Sequence, residues 1–231
     1  FLRAQRGLMG FPESIGNVRL YRECAKKYAL PIDILGVPVK SKEVLGVLHL
    51  KGFIFDNTLF YSGASINDIY LQQNNRYRCD RYHLIENKTL TDSMVKFLED
   101  FIEHSPAVKS LTRSSITTKK QIKPAIKKLK QSLKFAHYSF KSKSHTLTDT
   151  QVAVTPLLGF GGGKNLLNQT IYELIRNTQD RVIIYTPYFN FPNKINKAIR
   201  RILKSGKTVE IVVGDKKAND FYIPADQPFN W

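Results

Sequence analysis

Apolar residues recur along the chain with periods that change at definable points, and those changes mark the predicted elements. Ile15, Val18, Tyr21, Ala25 and Ala29 fall at three- and four-residue steps, which predicts a helix over 14–30 that Pro31 ends. A continuous apolar run at 32–39 predicts a buried strand, followed by a Lys-Ser-Lys turn. An apolar run, Asp56-Asn57 and a second run at 59–61 then read as a hairpin. A strand at 81–85 precedes a helix at 91–104, with Thr91 as its cap and Met94, Phe97, Leu98 and Phe101 along its inner side.

Farther on, Ile122, Ile126, Leu129, Leu133, Ala136 and Phe140 keep helical spacing, with Pro124 near the start of the run. The remainder predicts a helix at 166–177 and a buried strand from Arg181 that ends in Thr186-Pro187-Tyr188-Phe189. A basic helix at 194–204, stopped by Gly206, and a strand at 208–213 follow. Helices alternating with strands in both parts of the chain indicate an α/β fold.

Charge adds a partner class to this picture. The 231 residues carry 36 Lys and Arg against 19 Asp and Glu, a net charge of +17, which points to nucleic acid, an acidic membrane surface or a phosphorylated ligand. The excess is concentrated at 105–148, which contains no acidic residue, so the amphipathic helix there has a strongly basic face. Lys127, Lys128, Lys130 and Lys134 are the candidates for contact with an anionic membrane surface, or with nucleic acid. The alternative is a helix whose apolar side is core and whose basic side is merely solvated. Cys24 and Cys79 are isolated, so reduced thiols are expected and no metal spacing is present. No apolar run approaches the roughly 20 residues of a membrane-spanning helix, so membrane contact is expected to be peripheral. The chain begins at Phe1 rather than a methionine, and neither end reads as a natural boundary, so a longer parent protein is expected.

The chemistry-bearing residues cluster in the hairpin. His49, Lys51 and Asp56 stand as H-x-K-x4-D, followed by Gly63, Ser65 and Asn67. On strand spacing His49 and Lys51 share a face and Asp56 takes the other, where it would brace the hairpin. An imidazole suits nucleophilic attack on phosphorus, an adjacent ammonium neutralises the charge that builds on the non-bridging oxygens, and Ser65 and Asn67 can hydrogen-bond the same oxygens. A second stretch, TPLLGFGGGK at 155–164, departs from the Walker pattern. Leu158 stands where the first Gly is needed and Asn165 where Ser or Thr is needed.

The H-x-K-x4-D and G-(A)-S-x-N spacing resembles the phospholipase D superfamily, with Ala64 inserted between the usual adjacent Gly and Ser. Within it, LGVLHLKGFIFD, YSGASINDIYL, DRYHLI, TPYFN and VEIVVGDKKANDFYIP look most like the bacterial phosphatidylserine synthases of that type. The resemblance implies a phospholipase D-like mixed sheet flanked by helices in two pseudo-repeated halves, both incomplete here. The first half would occupy 1–104, the basic amphipathic connection 105–149, and the start of the second half 150–231. It implies a metal-free and cofactor-free transfer through a phosphohistidine on His49, with CDP-diacylglycerol and L-serine as substrates. It further implies Asp80 as a residue orienting the nucleophile, Gly63 and Tyr188 at the substrate, and a peripheral place on the inner face of a bacterial cell membrane. A second H-x-K-x4-D motif, expected in the parent chain, is absent from these residues, so the 231 residues alone are expected not to turn over. Other phospholipase D-type activities, a dimeric nuclease and a noncatalytic anionic-surface binder are the alternatives.

Overall fold

The computed structural model describes residues 17–29, 31–38, 49–73, 78–113, 119–140, 146–160 and 165–215. The chain divides into two compact α/β units, Phe1–Phe160 and Gly161–Trp231.

In the first unit, helix α1 (Asn17–Tyr28) ends as expected before Pro31, with Ala29 in the left-handed region at φ 48°. The strand expected at 32–39 is much shorter. Among its described residues, 32–38, only β1 (Leu35–Gly36) pairs, antiparallel with β5 (Lys109–Ser110), and Val39 lies outside the described residues. Side chains replace the ladder beside it: the Asp33 carboxylate accepts from the Ser110 and Thr112 hydroxyls, at 2.5 and 3.1 Å, in competition with strand pairing.

The central element is an antiparallel sheet of β2 (Phe53–Phe55), β3 (Thr58–Ser62) and β4 (Tyr82–Glu86), in that order. Its first turn is Asp56-Asn57, with Asp56 at φ 51°, a conformation Asp tolerates better than most side chains. The register sets Phe53 opposite Phe60, and Phe60 opposite Leu84, on one face, with Ile54, Leu59 and Ile85 on the other. Helix α2 (Lys88–Leu98) packs on β3, and Leu59 is buried.

That helix starts one turn earlier than Thr91. Asn87 is the cap, its Oδ1 accepting from the Leu90 N–H at 2.9 Å, as fits the greater strength of Asn at this position. Thr91 is buried inside the first turn, and its hydroxyl donates to the Lys88 carbonyl at 3.0 Å. The helix continues as a π turn over Glu99–Glu103. Helix α3 (Lys119–Leu133) then closes the unit. Phe97, Ile102, Ala107, Val108, Leu129 and Leu158 form the core, with Ala125, Ile126, Leu133 and Ala136 packed against it. The apolar side of the basic helix is therefore core. Leu158 anchors the TPLLGF stretch, and Phe160 stacks on Phe97 at 6.4 Å. Residues 161–164 of that stretch, the 40–42 turn and positions 14–16 and 30 of the expected first helix lie outside the described residues.

The second unit runs α4 (Leu166–Arg176), β6 (Arg181–Thr186), α5 (Asn193–Lys204) and β7 (Thr208–Val213). β6 and β7 pair in parallel across α5, a βαβ crossover. Ile175, Ala198, Ile199 and Ile202 form its core with Val182, Ile184 and Val209. Contrary to the expected buried strand, β6 alternates exposed and half-buried positions, because within this unit helices cover one face.

Candidate active site

The site forms at the end of the hairpin away from its turn. Gly52, at φ 138°, breaks the extended run before β2, so His49 and Lys51 precede the strand instead of belonging to it. Strand parity is thus not what brings them together. They nonetheless meet: Lys51 Nζ lies 3.0 Å from His49 Nε2 and 3.3 Å from Nδ1. The contact puts the Lys51 ammonium beside the imidazole, one of whose nitrogens must carry a free lone pair to act as a nucleophile.

Asp80 completes the cluster from the chain segment entering β4. Burial pushes the Lys51 ammonium below its ordinary pKa, and the negative charge of Asp80 opposes that shift. The carboxylate is steered from two sides. Its Oδ1 accepts the Arg81 N–H at 2.7 Å, and it lies over Gly63 so closely that a Cβ there would meet Oδ2 at 3.3 Å. The charge of Asp80 thus favours the Lys51 ammonium, and the missing side chain of Gly63 leaves room for that carboxylate.

The loop after β3 supplies the remaining motif residues. Ser62 is buried and its hydroxyl accepts the Ala64 N–H at 3.0 Å, which turns the chain out of the strand. Ser65 is exposed. Asn67 uses Oδ1 to accept the Tyr70 N–H at 3.2 Å, which leaves its amide NH2 as the group that can donate to a phosphoryl oxygen. Asp56 occupies the opposite, turn end of the hairpin, away from His49.

Two expected groups belong to other elements of the chain. Tyr188 belongs to the second unit, where the Thr186 hydroxyl donates to its carbonyl at 3.1 Å. Lys127, Lys128, Lys130 and Lys134 are exposed on and just after α3, and among the described residues no ion pair engages them. Cys24 and Cys79 are free and exposed. Among the described residues no group of three or more His, Cys, Asp or Glu is placed to hold a metal, and no helix is long and apolar enough to cross a membrane.

Beside Ser65 opens a groove of about 230 Å³ lined largely by aromatic and aliphatic side chains of β2, β3, β4 and the loop. Sequence reasoning missed it. Its signal was the alternation that puts Phe53 and Phe60 on one face once the hairpin register is set.

No protein-family model matches the sequence. The chain is 45% identical over 231 residues to a CDP-diacylglycerol–serine O-phosphatidyltransferase of Haemophilus influenzae, spanning 98% of this chain and 50% of that protein. It is 42% identical over 228 residues to the enzyme of the same name in Escherichia coli, again with 98% and 50% covered. The crystal structure of phosphatidylserine synthase from Haemophilus influenzae matches it with a TM-score of 0.85 at 44% identity, over 100% of this chain and 51% of that one. The chain is a homologue of these phosphatidylserine synthases. It spans about half the length of the synthases it matches. A more distant relative, a probable CDP-diacylglycerol–glycerol-3-phosphate 3-phosphatidyltransferase of Dictyostelium discoideum, is 24% identical over 217 residues, 80% of this chain and 36% of that protein. The phosphatidylserine synthase crystal structure shares the mixed α/β fold expected from the sequence. The synthase resemblance covers the hairpin with His49 and Lys51, the loop with the inserted Ala64, and the βαβ unit after Asn165 alike.

Proposed function

We propose that the protein carrying this chain transfers a phosphatidyl group from CDP-diacylglycerol to L-serine, releasing CMP. The observation that carries the reading is the His49–Lys51 contact at 3.0 Å, with Asp80 acting on the same ammonium, inside a chain 42% and 45% identical to two such transferases. A ring nitrogen of His49 attacks the phosphorus that bears diacylglycerol. The new P–N bond forms as the P–O bond to CMP breaks, giving a phosphatidyl-histidine. CMP leaves readily, because a phosphate monoester has a second pKa of about 6. The serine hydroxyl then attacks the same phosphorus and breaks the P–N bond. Its proton needs a base, which the reading assigns to the His of a second H-x-K motif outside these residues.

Lys51 stabilises charge on the non-bridging oxygens as each pentacoordinate transition state forms, and its partial burial strengthens that interaction. Ser65 and the Asn67 amide are donors to the same oxygens. The Asp80 carboxylate favours the charged form of Lys51, and no metal or cofactor enters the scheme.

In this reading the protein binds an anionic membrane leaflet, peripherally on the inner face of a bacterial cell membrane, and the exposed lysines on and after α3 support it. With the apolar side of α3 committed to the core, the helix offers charge alone. Phe135, 80% exposed beside Lys134, is the apolar group available to enter the lipid interface.

The deciding experiment follows CMP release from CDP-diacylglycerol by the full-length protein, with labelled serine present, for wild type and His49→Ala. Serine-dependent release and labelled lipid in the wild type, both lost in the variant, are expected. A folded wild type that releases no CMP would overturn the reading.

A further inference from the structure

The groove beside the motif is built from two surfaces. Phe53, Phe60 and Tyr82 pave its floor: the Phe53 and Phe60 rings are 5.7 Å apart, and Phe60 and Tyr82 stack at 5.3 Å with planes 13° apart. The loop from Ala64 to Leu71 forms its wall, through Ala64, Ser65, Ile66 and Leu71. The wall is thus the same loop that presents Ser65 and Asn67 to the reacting phosphorus. Ala64, the residue by which this loop exceeds the adjacent Gly-Ser form, is buried and faces the groove.

The chemistry of the lining selects the occupant. Among the described residues no lining residue is charged, so neither the phosphates of a nucleotide nor the zwitterion of serine finds a counter-charge in them. The volume of about 230 Å³ is smaller than the roughly 300 Å³ at which pockets for whole small molecules begin, so the groove takes a segment of a longer molecule. Apolar surface continues beyond it on the same sheet face. Leu84, opposite Phe60, is 74% exposed, and Phe55, two residues beyond Phe53, is 62% exposed. This makes an apolar track that starts at the motif loop and runs toward the hairpin turn. His49 lies four residues before Phe53, within about 14 Å of chain even if fully extended.

We infer that this groove and track seat an acyl chain of the phosphatidyl donor, holding the lipid while its phosphorus is at His49. The inference rests on the transferase reading above. Specificity for the lipid part of the donor then resides in the loop that handles its phosphate, and the inserted Ala64 is what shapes that loop around hydrocarbon.

The test uses the full-length protein and two variants, Ile66→Gln and Leu71→Gln. Both positions are exposed, at 66% and 54%, so the variants are expected to melt with the wild type. CMP release is measured with CDP-dioleoylglycerol and with CDP-dihexanoylglycerol, in detergent micelles with serine saturating. Each variant is expected to lose about tenfold in kcat/KM on the long-chain donor and less than twofold on the short one. That tenfold is about 1.4 kcal/mol, just below what full burial of one aliphatic side chain contributes. The KM for serine stays unchanged. In parallel, a donor with a diazirine near the end of one acyl chain is photolysed on the wild type, and label is expected on the peptides that contain Phe60, Ile66 or Leu71. Active wild type with equal losses on both donors, or with label placed elsewhere, overturns the groove alone, and a groove covered by another part of the protein gives that same result. Inactive wild type with label in the groove overturns the transferase reading and keeps the groove, whereas inactive wild type without label overturns both.

Discussion

Gly63→Ala tests whether Asp80 works through Lys51. Gly63 has an ordinary negative φ, so Ala fits the backbone, but the new Cβ would stand 3.3 Å from Asp80 Oδ2, 3.6 Å from Oδ1 and 3.8 Å from Cγ. The first of these contacts is tight, so the carboxylate must move by a few tenths of an ångström. It cannot swing freely, because Oδ1 is held by the Arg81 N–H at 2.7 Å. Asp80 is exposed, so the strain is relieved cheaply, and the melting temperature should change by no more than about 2–4 °C, equivalent to about 1 kcal/mol. Activity should respond more. A misplacement of about 1 Å near reacting groups is worth on the order of 100-fold, so a few tenths scales to a loss of about three- to tenfold. The assay is serine-dependent CMP release by the full-length protein, for Gly63→Ala, Asp80→Asn and the double variant. If Gly63 acts by seating Asp80, the double variant loses no more than Asp80→Asn alone, because the two changes share one path. Wild-type activity in Gly63→Ala, or losses that multiply in the double variant, would refute the reasoning.

Three further outcomes follow from the same geometry. Lys51→Met should abolish activity yet raise the melting temperature near neutral pH, since burial disfavours the ammonium. The folded state releases the Lys51 proton more readily than the unfolded chain does, so wild-type stability rises with pH between the lowered pKa and the ordinary 10.5; the advantage of Lys51→Met should shrink over that window, and thermal melts showing it constant or growing would contradict the shift. The triple variant Lys127→Gln, Lys128→Gln, Lys130→Gln removes about 3 kcal/mol of attraction to an anionic leaflet, so sedimentation with vesicles containing anionic lipid should fall on the order of 100-fold at low salt; unchanged binding would remove α3 from the membrane surface. Phe97 is 2% exposed and packs on Phe101, Tyr138 and Phe160, so Phe97→Ala should cost about 3–5 kcal/mol. Hydrogen exchange should show lost protection in α2 and α3 with α4 and α5 little changed, and a loss spread evenly over both units would count against a core confined to the first.

The sequence by itself determined the α/β alternation, most helix ends and the Asp56-Asn57 turn, and it named the candidates for the reacting residues. Each of these is written in local spacing: Pro31 and Gly206 stop helices whatever surrounds them, and H-x-K-x4-D is a pattern of adjacent positions. What needed the tertiary structure was every choice between two environments for one pattern. The 122–140 periodicity suits a membrane surface and a core equally, and only the packing of Leu129 and Ile126 near Phe97 assigns it to the core. The strand expected at 32–39 shrank because Asp33 found hydroxyls on Ser110 and Thr112, some 77 and 79 residues away in sequence. The cap moved from Thr91 to Asn87 because the packed helix buries Thr91. His49 and Lys51 were expected to meet through strand parity, whereas Gly52 breaks the strand and the two meet through the fold of the segment before β2. The apolar groove was out of reach for the same reason. Phe53, Phe60 and Tyr82 share a face only once the register of three strands is fixed, and register is a property of the paired sheet, set by which face is buried.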